Sequence, residues 1–237
     1  MASTVVIGCT GLVGNEVLKT LIASEDFPSL HTISRRAPKQ TSPKLSSDIE
    51  ADTAKWAAAL QSLKPPPSAV ISALGTSSAQ AGSVAAQWRI DHDLNVELAR
   101  AAKALGVETF VFVSSAGTRG FPSNRVPYSK MKIGVEDEVM GLGFENAVIM
   151  RPGMILGERE AVHGTGNAVL GGVLNGAING MGKVSKGLKD MLGQEAEVIG
   201  RAAVYAARVA AEGKAPKNPW ILDGADIVRY GRDEWKE

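Results

Sequence analysis

Short apolar runs alternate with amphipathic stretches along most of this chain. Val5 to Gly8, "HTISRR", "SAVISALG", "TFVFVSS" and "ENAVIMRPG" each read as a strand, because apolar or β-branched residues run together and then meet glycine, proline or serine. Helical spacing fills the intervals. Leu12 to Ala23 is predicted as the first helix. "VAAQWRIDHDLNVELARAAKAL" places Trp88, Leu94, Leu98, Ala101 and Leu105 on one stripe, with Gly106 as a stop. "PYSKMKIGVEDEVMGLG" begins with Pro127, which suits a first helical turn, and stops near Gly143. Strands alternating with helices predict a parallel sheet covered on both faces: an α/β, Rossmann-type doubly wound fold. "KPPPS", residues 64 to 68, reads as a loop before a strand, not as a boundary. A single domain over residues 1 to 237 is expected, with 155 to 237 contributing a small substrate or lid region.

Residues 161 to 193 break the alternation. Nine are glycine, interleaved with apolar residues at near-helical spacing and followed by Lys183, Lys186 and Lys189. Two readings stand: a lid or helix packed on the core, and a surface that touches lipid or a partner. At the end, "WILDGADIVRYGRDEWKE" is expected to add a last strand and a polar tail, with Trp220 in the core. Trp56, Trp88 and Trp235 read as packing residues.

Composition narrows the function classes. A net charge of +1 over 237 residues, without a long Lys/Arg run, gives no case for nucleic acid. One cysteine excludes an internal disulfide, and three histidines without ligand spacing point to no metal. Only Met1 to Thr4 precede the first strand, so no cleavable presequence is expected. No apolar run is long enough to span a bilayer; "AAVYAARVAA" is short and contains Arg208.

Candidate chemistry starts at "VVIGCTGLVGNEVL". Gly8, Gly11 and Gly14 join the first strand to the first helix. Glycine tolerates a tight turn, lets a pyrophosphate approach the main chain and lets helix and strand pack closely, while free N–H groups at the helix start face the anion. The spacing is G-x-x-G-x-x-G rather than G-x-G-x-x-G, and a glycine-rich turn without a ligand is the plain alternative. Cys9, inside this loop, reads as a small filler side chain or a redox-sensitive thiol. After the second strand, where an acid would bind a ribose 2′-hydroxyl, stand Ser34, Arg35 and Arg36. Guanidinium groups suit a 2′-phosphate, which favours NADP, against the alternative of two solvated arginines. Tyr128 and Lys132 stand four apart on a predicted helix and share a face. A phenol with an ordinary pKa near 10 works as an acid only beside a cation, which Lys132 supplies. Ser114 and Ser115 close a parallel strand, where open α/β sheets place their ligands. Asp91, His92 and Asp93 read as a solvated helix face.

Glycine loop, "SS", "YSKMK" and "RPG" follow the order and spacing of the short-chain dehydrogenase/reductase superfamily. "ALGTSSAQAG", "IDHDLNVELARAAK", "FVFVSSAG" and "IMRPGMILGERE" resemble its atypical branch, which contains the Tat-interacting protein and fungal mitochondrial outer-membrane relatives. The resemblance covers residues 5 to about 160 well and the rest loosely. It implies that Gly8, Gly11, Leu12, Val13 and Gly14 form a pyrophosphate loop, with Arg35 and Arg36 at the adenosine phosphate and Asp52 near the adenine. It places Leu74, Gly75 and Thr76 along the cofactor and Pro152, Gly153 and Met154 around the nicotinamide amide. Tyr128 is then the general acid, Lys132 its activator and ribose ligand, and Ser115 the carbonyl-orienting hydroxyl, with Ser114 as second choice. Asp93 falls where the superfamily often has an asparagine bracing that lysine. The implied activity is NADP-dependent hydride transfer on a small, lipophilic carbonyl or alcohol; the alternative is a non-enzymatic NADPH-binding regulator or adaptor peripheral to a membrane. The implied location is the cytoplasmic face of the mitochondrial outer membrane, or the cytoplasm.

Overall fold

A computed structural model describes residues 3–157, 190 and 193–236. Seven parallel strands form one sheet: β1 (Thr4–Ile7), β2 (Leu30–Ser34), β3 (Leu45–Ile49), β4 (Ala69–Ser72), β5 (Thr109–Val113), β6 (Asn146–Met150) and β9 (Trp220–Leu222), in the order β3-β2-β1-β4-β5-β6-β9. Register is continuous across the centre, where Val5 pairs with His31 on one side and Val70 on the other. A second, two-stranded parallel sheet joins β7 (Met154–Leu156) to β8 (Gly193–Glu195).

Alternating side chains explain why the central strands are apolar throughout. Val5 and Ile7 point to one face of the sheet and Val6 to the other, and all three are fully buried. One face carries α1 (Leu12–Ala23) against α7 (Ala196–Ala211), with Val17, Leu18 and Leu21 meeting Ile199, Ala203 and Ala206 in one cluster. Gly200 permits that approach: a Cβ there would lie 2.9 Å from the Glu16 and Val17 backbone. The "AAVYAARVAA" run forms the second half of α7, and its Ala202, Ala203, Val204, Ala206, Ala207 and Ala210 are buried by this packing. The opposite face carries α2 (Trp56–Ser62), α5 (Asn95–Ala104) and α6 (Pro127–Gly141), with Leu60, Leu98 and Val135 packed on Phe110 and Phe112.

The structure departs from the expected elements in three places. The short α3 (Ser78–Ala81) comes first, and the helix expected over 84 to 105 is divided into α4 (Val84–Trp88), a π-helical turn over Arg89–Leu94, and α5. β3 is an edge strand that the apolar pattern does not reveal, because its sequence LSSDI is half polar and Ile49 is 60% exposed. After β9 the chain forms α8 (Gly224–Val228), capped by Asp223 and Asp226, and a further π turn, rather than a polar tail. Trp220 is buried, and Trp56 is buried with its indole N–H donating to the Glu50 carbonyl at 2.9 Å. Nearly all of the segment 161 to 193 lies outside the described residues, so the lid and surface readings are not addressed there.

Candidate functional site

Parallel topology places every strand's carboxyl end on one edge of the sheet. Along that edge stand, in spatial order, Asp52 after β3, Arg35 and Arg36 after β2, the glycine loop after β1, Leu74 to Thr76 after β4, Ser115 after β5 and Pro152 to Met154 after β6. The strand order turns between β1 and β4, which makes a crevice at that point.

The glycine loop forms the wall on the β1 side. Gly8 has φ +82°, and a Cβ there would sit 2.8 Å from the Ala73 carbonyl and the Leu74 nitrogen, so β1 and β4 close to main-chain contact. A Cβ on Gly14 would collide with the Gly8 carbonyl oxygen. Gly11 donates its N–H to Gly8 O at 2.9 Å and caps α1 without a side-chain hydrogen bond; no acid stands in the first turn. The α1 amino terminus therefore keeps main-chain donors available to an anion. Leu12 packs beneath Gly157, at the end of β7, while Val13 belongs to the core. Cys9 is fully buried and burial pushes its thiol up, against hydrogen bonds from Ser34 and Thr32. Arg35 and Arg36 are exposed; Ser34 Oγ donates to the Arg36 carbonyl at 2.7 Å and fixes the turn that presents them. Asp52 is exposed and caps a short 3-10 turn by accepting from the Ala54 N–H.

Charge makes the opposite wall. Lys132 is 5% exposed; its Nζ donates to the Val113 carbonyl at 3.2 Å and lies over the Phe112 ring at 4.9 Å. Burial lowers its pKa, while Asp91 and Glu136 pull it back up. Asp91 is 1% exposed, accepting from the Thr76 N–H at 2.6 Å and from Gln87 Nε2 at 3.1 Å. Burial raises its pKa against the opposing influence of Lys132, Gln87 and Thr76. A Cβ on Gly75 would lie 3.8 Å from both Asp91 Oδ1 and Lys132 Nζ, so the main chain after β4 runs past both buried charges. Tyr128, one helical turn before Lys132, is 38% exposed.

One of the sequence readings needs correction here. Asp91 belongs to no solvated face. Its place three residues before Leu94, on the stripe of Leu98 and Ala101, puts it on the buried side, and that spacing was the available signal. Asp93, by contrast, is exposed as that reading expects, and accepts from Trp88 Nε1 at 3.1 Å and pairs with His92 Nδ1 at 2.8 Å. Buried Asn95 adds a layer beneath, its Oδ1 accepting from Ser72 Oγ at 2.7 Å and its Nδ2 donating to the carbonyls of Ile90 and Asp91.

Ser114 and Ser115 diverge. Ser114 is buried and donates to Glu136 Oε1 at 2.6 Å, whereas Ser115 is partly exposed, with Oγ 3.5 Å from the Ala116 carbonyl. Glu136, absent from the sequence reading, is fully buried and accepts from Arg119 Nε at 2.7 Å and Arg151 Nη2 at 2.6 Å. Burial alone would raise its pKa; Arg151, Ser114 and Arg119 together hold it below the ordinary range. Its spacing, four after Lys132 and eight after Tyr128, was legible as one helix face. Around Pro152 the backbone is pinned: Ala116 N donates to Pro152 O at 2.7 Å, and Gly153 N to the buried Gln194 Oε1 at 2.7 Å. Met154 is exposed. A surface depression of about 440 Å³ lined by Ile22, Pro28, Ser42 and Lys44 lies at the other end of the strands and contains none of this chemistry.

Fold and crevice together define the class: a Rossmann-type protein of the atypical short-chain dehydrogenase/reductase kind. The profile of the NAD dependent epimerase/dehydratase family matches residues 4–191, and the chain belongs to that family. It is 55% identical over 238 residues to the mitochondrial protein FMP52 of Chaetomium globosum, covering 100% of both chains. Against the mitochondrial fmp-52 protein of Neurospora crassa it is 54% identical over 239 residues, covering 99% of this chain and 97% of the relative. Among solved structures, the enzyme WbmF of Bordetella bronchiseptica in complex with NAD+ aligns with TM-score 0.69 at 17% identity, over 94% of this chain and 72% of that one. A short-chain dehydrogenase/reductase of Saccharomyces cerevisiae aligns with TM-score 0.66 at 13% identity, over 97% and 99%. At those identities the structural likeness speaks for the fold.

Proposed function

We propose that this chain is an NADP-dependent oxidoreductase acting on a small, lipophilic carbonyl or alcohol. The observation that carries the reading is the helix face of α6: Tyr128 at its exposed start, and Lys132 one turn on, buried opposite Asp91 at the crevice. A nicotinamide dinucleotide fits the residues present, because Gly8 and Gly14 leave space a Cβ would fill and α1 begins with uncapped donors. Gly8, Gly11, Leu12, Val13 and Gly14 would hold its pyrophosphate, Arg35 and Arg36 its 2′-phosphate, and Asp52 and Leu74 to Thr76 its adenine side and flank. Pro152, Gly153 and Met154 would border the nicotinamide. When bound, this group supplies the hydride chemistry.

The chain's own residues handle the proton and the geometry. Lys132 stabilises the phenolate form of Tyr128, so the phenol gives its proton to a carbonyl oxygen more readily than an isolated tyrosine would. Ser115 orients that oxygen. Asp91 fixes Lys132 and, through the Thr76 N–H, the main chain beside it. Sugar-nucleotide epimerases share the fold, and another neighbour, MoeE5, was solved in complex with UDP-glucose and NAD. The exposed apolar side chains of the loop that leads into Tyr128, Phe121 and Val126, support a less polar substrate here.

The mitochondrial names of the fungal relatives support a mitochondrial location, and peripheral residence at the outer membrane is part of the proposal. Among the described residues no helix is long and apolar enough to cross a membrane. The test is direct: NADPH titrated into the protein should bind more tightly than NADH, and Tyr128→Phe should keep that binding while abolishing reduction of any carbonyl the wild type turns over. Turnover that survives Tyr128→Phe overturns the assignment of the acid.

A further inference from the structure

Four segments that form the crevice meet at one side chain outside it. Glu136 is 0% exposed and accepts four hydrogen bonds: from Ser114 Oγ at 2.6 Å, Arg119 Nε at 2.7 Å, and Arg151 Nε and Nη2 at 3.1 and 2.6 Å. Each donor borders a site residue. Ser114 precedes Ser115 at the end of β5, Arg151 precedes Pro152 at the end of β6, and Arg119 stands in the loop that leads to Tyr128. Glu136 itself lies on α6, one turn beyond Lys132.

We infer that Glu136 is a positioning residue, whose buried carboxylate sets the Ser115 strand end and the loop that leads into Tyr128 against α6, the helix that carries both Tyr128 and Lys132. This rests on the oxidoreductase reading for its catalytic meaning, though not for its geometry. Removing water from a carboxylate is costly, and only several charge-assisted donors offset it. Arg119 also donates to Asp137 Oδ1 at 2.6 Å, so one guanidinium grips two consecutive acids of α6. That grip reaches Tyr128 through the loop's own bonds. Thr118 Oγ1 donates to Ser115 O at 3.3 Å, Ser123 Oγ lies 2.6 Å from the carbonyls of Gly117 and Gly120, and Val126 N donates to Ser123 O at 3.0 Å. Residues 115 to 126 thus form one bonded unit, hinged at the strand end and anchored at Arg119.

Three tyrosines are present, at 128, 205 and 230, so tyrosine labelled with carbon-13 at the ring Cζ alone gives three nuclear magnetic resonance signals, assigned by Tyr128→Phe. The experiment follows those signals, amide hydrogen exchange across residues 115 to 126, and NADPH titration in wild type, Glu136→Gln, Arg119→Gln and Arg119→Lys. Glu136→Gln and Arg119→Gln should move or broaden the Tyr128 signal alone and speed loop exchange by roughly tenfold, the scale of one lost charge-assisted bond. Arg119→Lys should restore part of both, because it returns the charge without the fork. Arg119 is partly exposed, so its variants read the proposal even where Glu136→Gln fails to fold. An unchanged Tyr128 signal with unchanged loop exchange in folded Arg119→Gln overturns the inference. Failure of the wild type to bind NADPH overturns the proposed function instead, and leaves these signals readable.

Discussion

The two walls of the crevice are built on opposite principles. On the β1 side, nothing but main chain and glycine comes close: Gly8 against Ala73, Gly14 against Gly8, and a helix start without a capping side chain. On the α6 side, Asp91, Lys132 and Glu136 are buried charges balanced by Arg119, Arg151 and polar donors. One wall is specified by what is missing and tolerates no added atom. The other is specified by partners and tolerates no lost charge. Substitutions should therefore fail in opposite ways, gain of volume in one and loss of charge in the other.

Asp91→Ala should show the largest effect. It removes the carboxylate that most favours the Lys132 charge and strips acceptors from the Thr76 N–H and Gln87, at a cost of about 3–5 kcal/mol in urea unfolding. Asp91→Asn keeps an acceptor and should cost clearly less. Equal losses in the two variants would mean that the lost charge, and not the lost acceptor, sets the cost at this wall. Gly14→Ala comes next. One methyl group against the Gly8 carbonyl should cost about 1–3 kcal/mol and abolish dinucleotide binding. An unaffected titration would show that the glycine wall has room to relax.

That contrast also explains what the sequence disclosed. Glycine spacing after an apolar strand is local, so the β1 wall and the sheet could be read from a few adjacent residues. Tyr128 and Lys132 were visible for the same reason, lying four apart on one helix. Asp91 and Glu136 were not identified, because their partners lie elsewhere in the chain: Thr76 and Lys132 for one, Ser114, Arg119 and Arg151 for the other. A charged residue in a helix pattern reads as solvated unless its place on the apolar stripe is weighed, and Asp91 occupied that stripe. The π turn at Arg89–Leu94 further hid its role, since Asp93 looked equally placed. β3 escaped notice because an edge strand needs only one apolar face.

The exposed arginines sharpen the comparison at the outer end of the glycine wall. Arg35→Ala with Arg36→Ala should weaken NADPH binding by roughly tenfold or more, as expected for lost hydrogen bonds to a charged group, and leave NADH unchanged. Parallel losses for both nucleotides would assign these residues to the fold instead of the 2′-phosphate.

The finest test separates the two buried carboxylates by the sign of their pH dependence. Glu136 is held below its ordinary 4.5, because its three donors outweigh burial. Its contribution to stability is therefore complete above that value and is lost as pH falls through the lowered one. Asp91 is raised above its ordinary 3.8 by burial, so its ionised form burdens the fold and protonation relieves that burden as pH falls through the raised value. Each tenfold difference in proton affinity between folded and unfolded chain is worth about 1.4 kcal/mol. Across roughly pH 3 to 6, where ordinary carboxyls titrate, Glu136→Gln should flatten the fall of unfolding free energy with acid, and Asp91→Asn should steepen it. Chemical denaturation at stepped pH measures both slopes. Slopes that shift in the same direction would merge the two carboxylates into one electrostatic unit, and the charged wall would then have a single centre at Lys132.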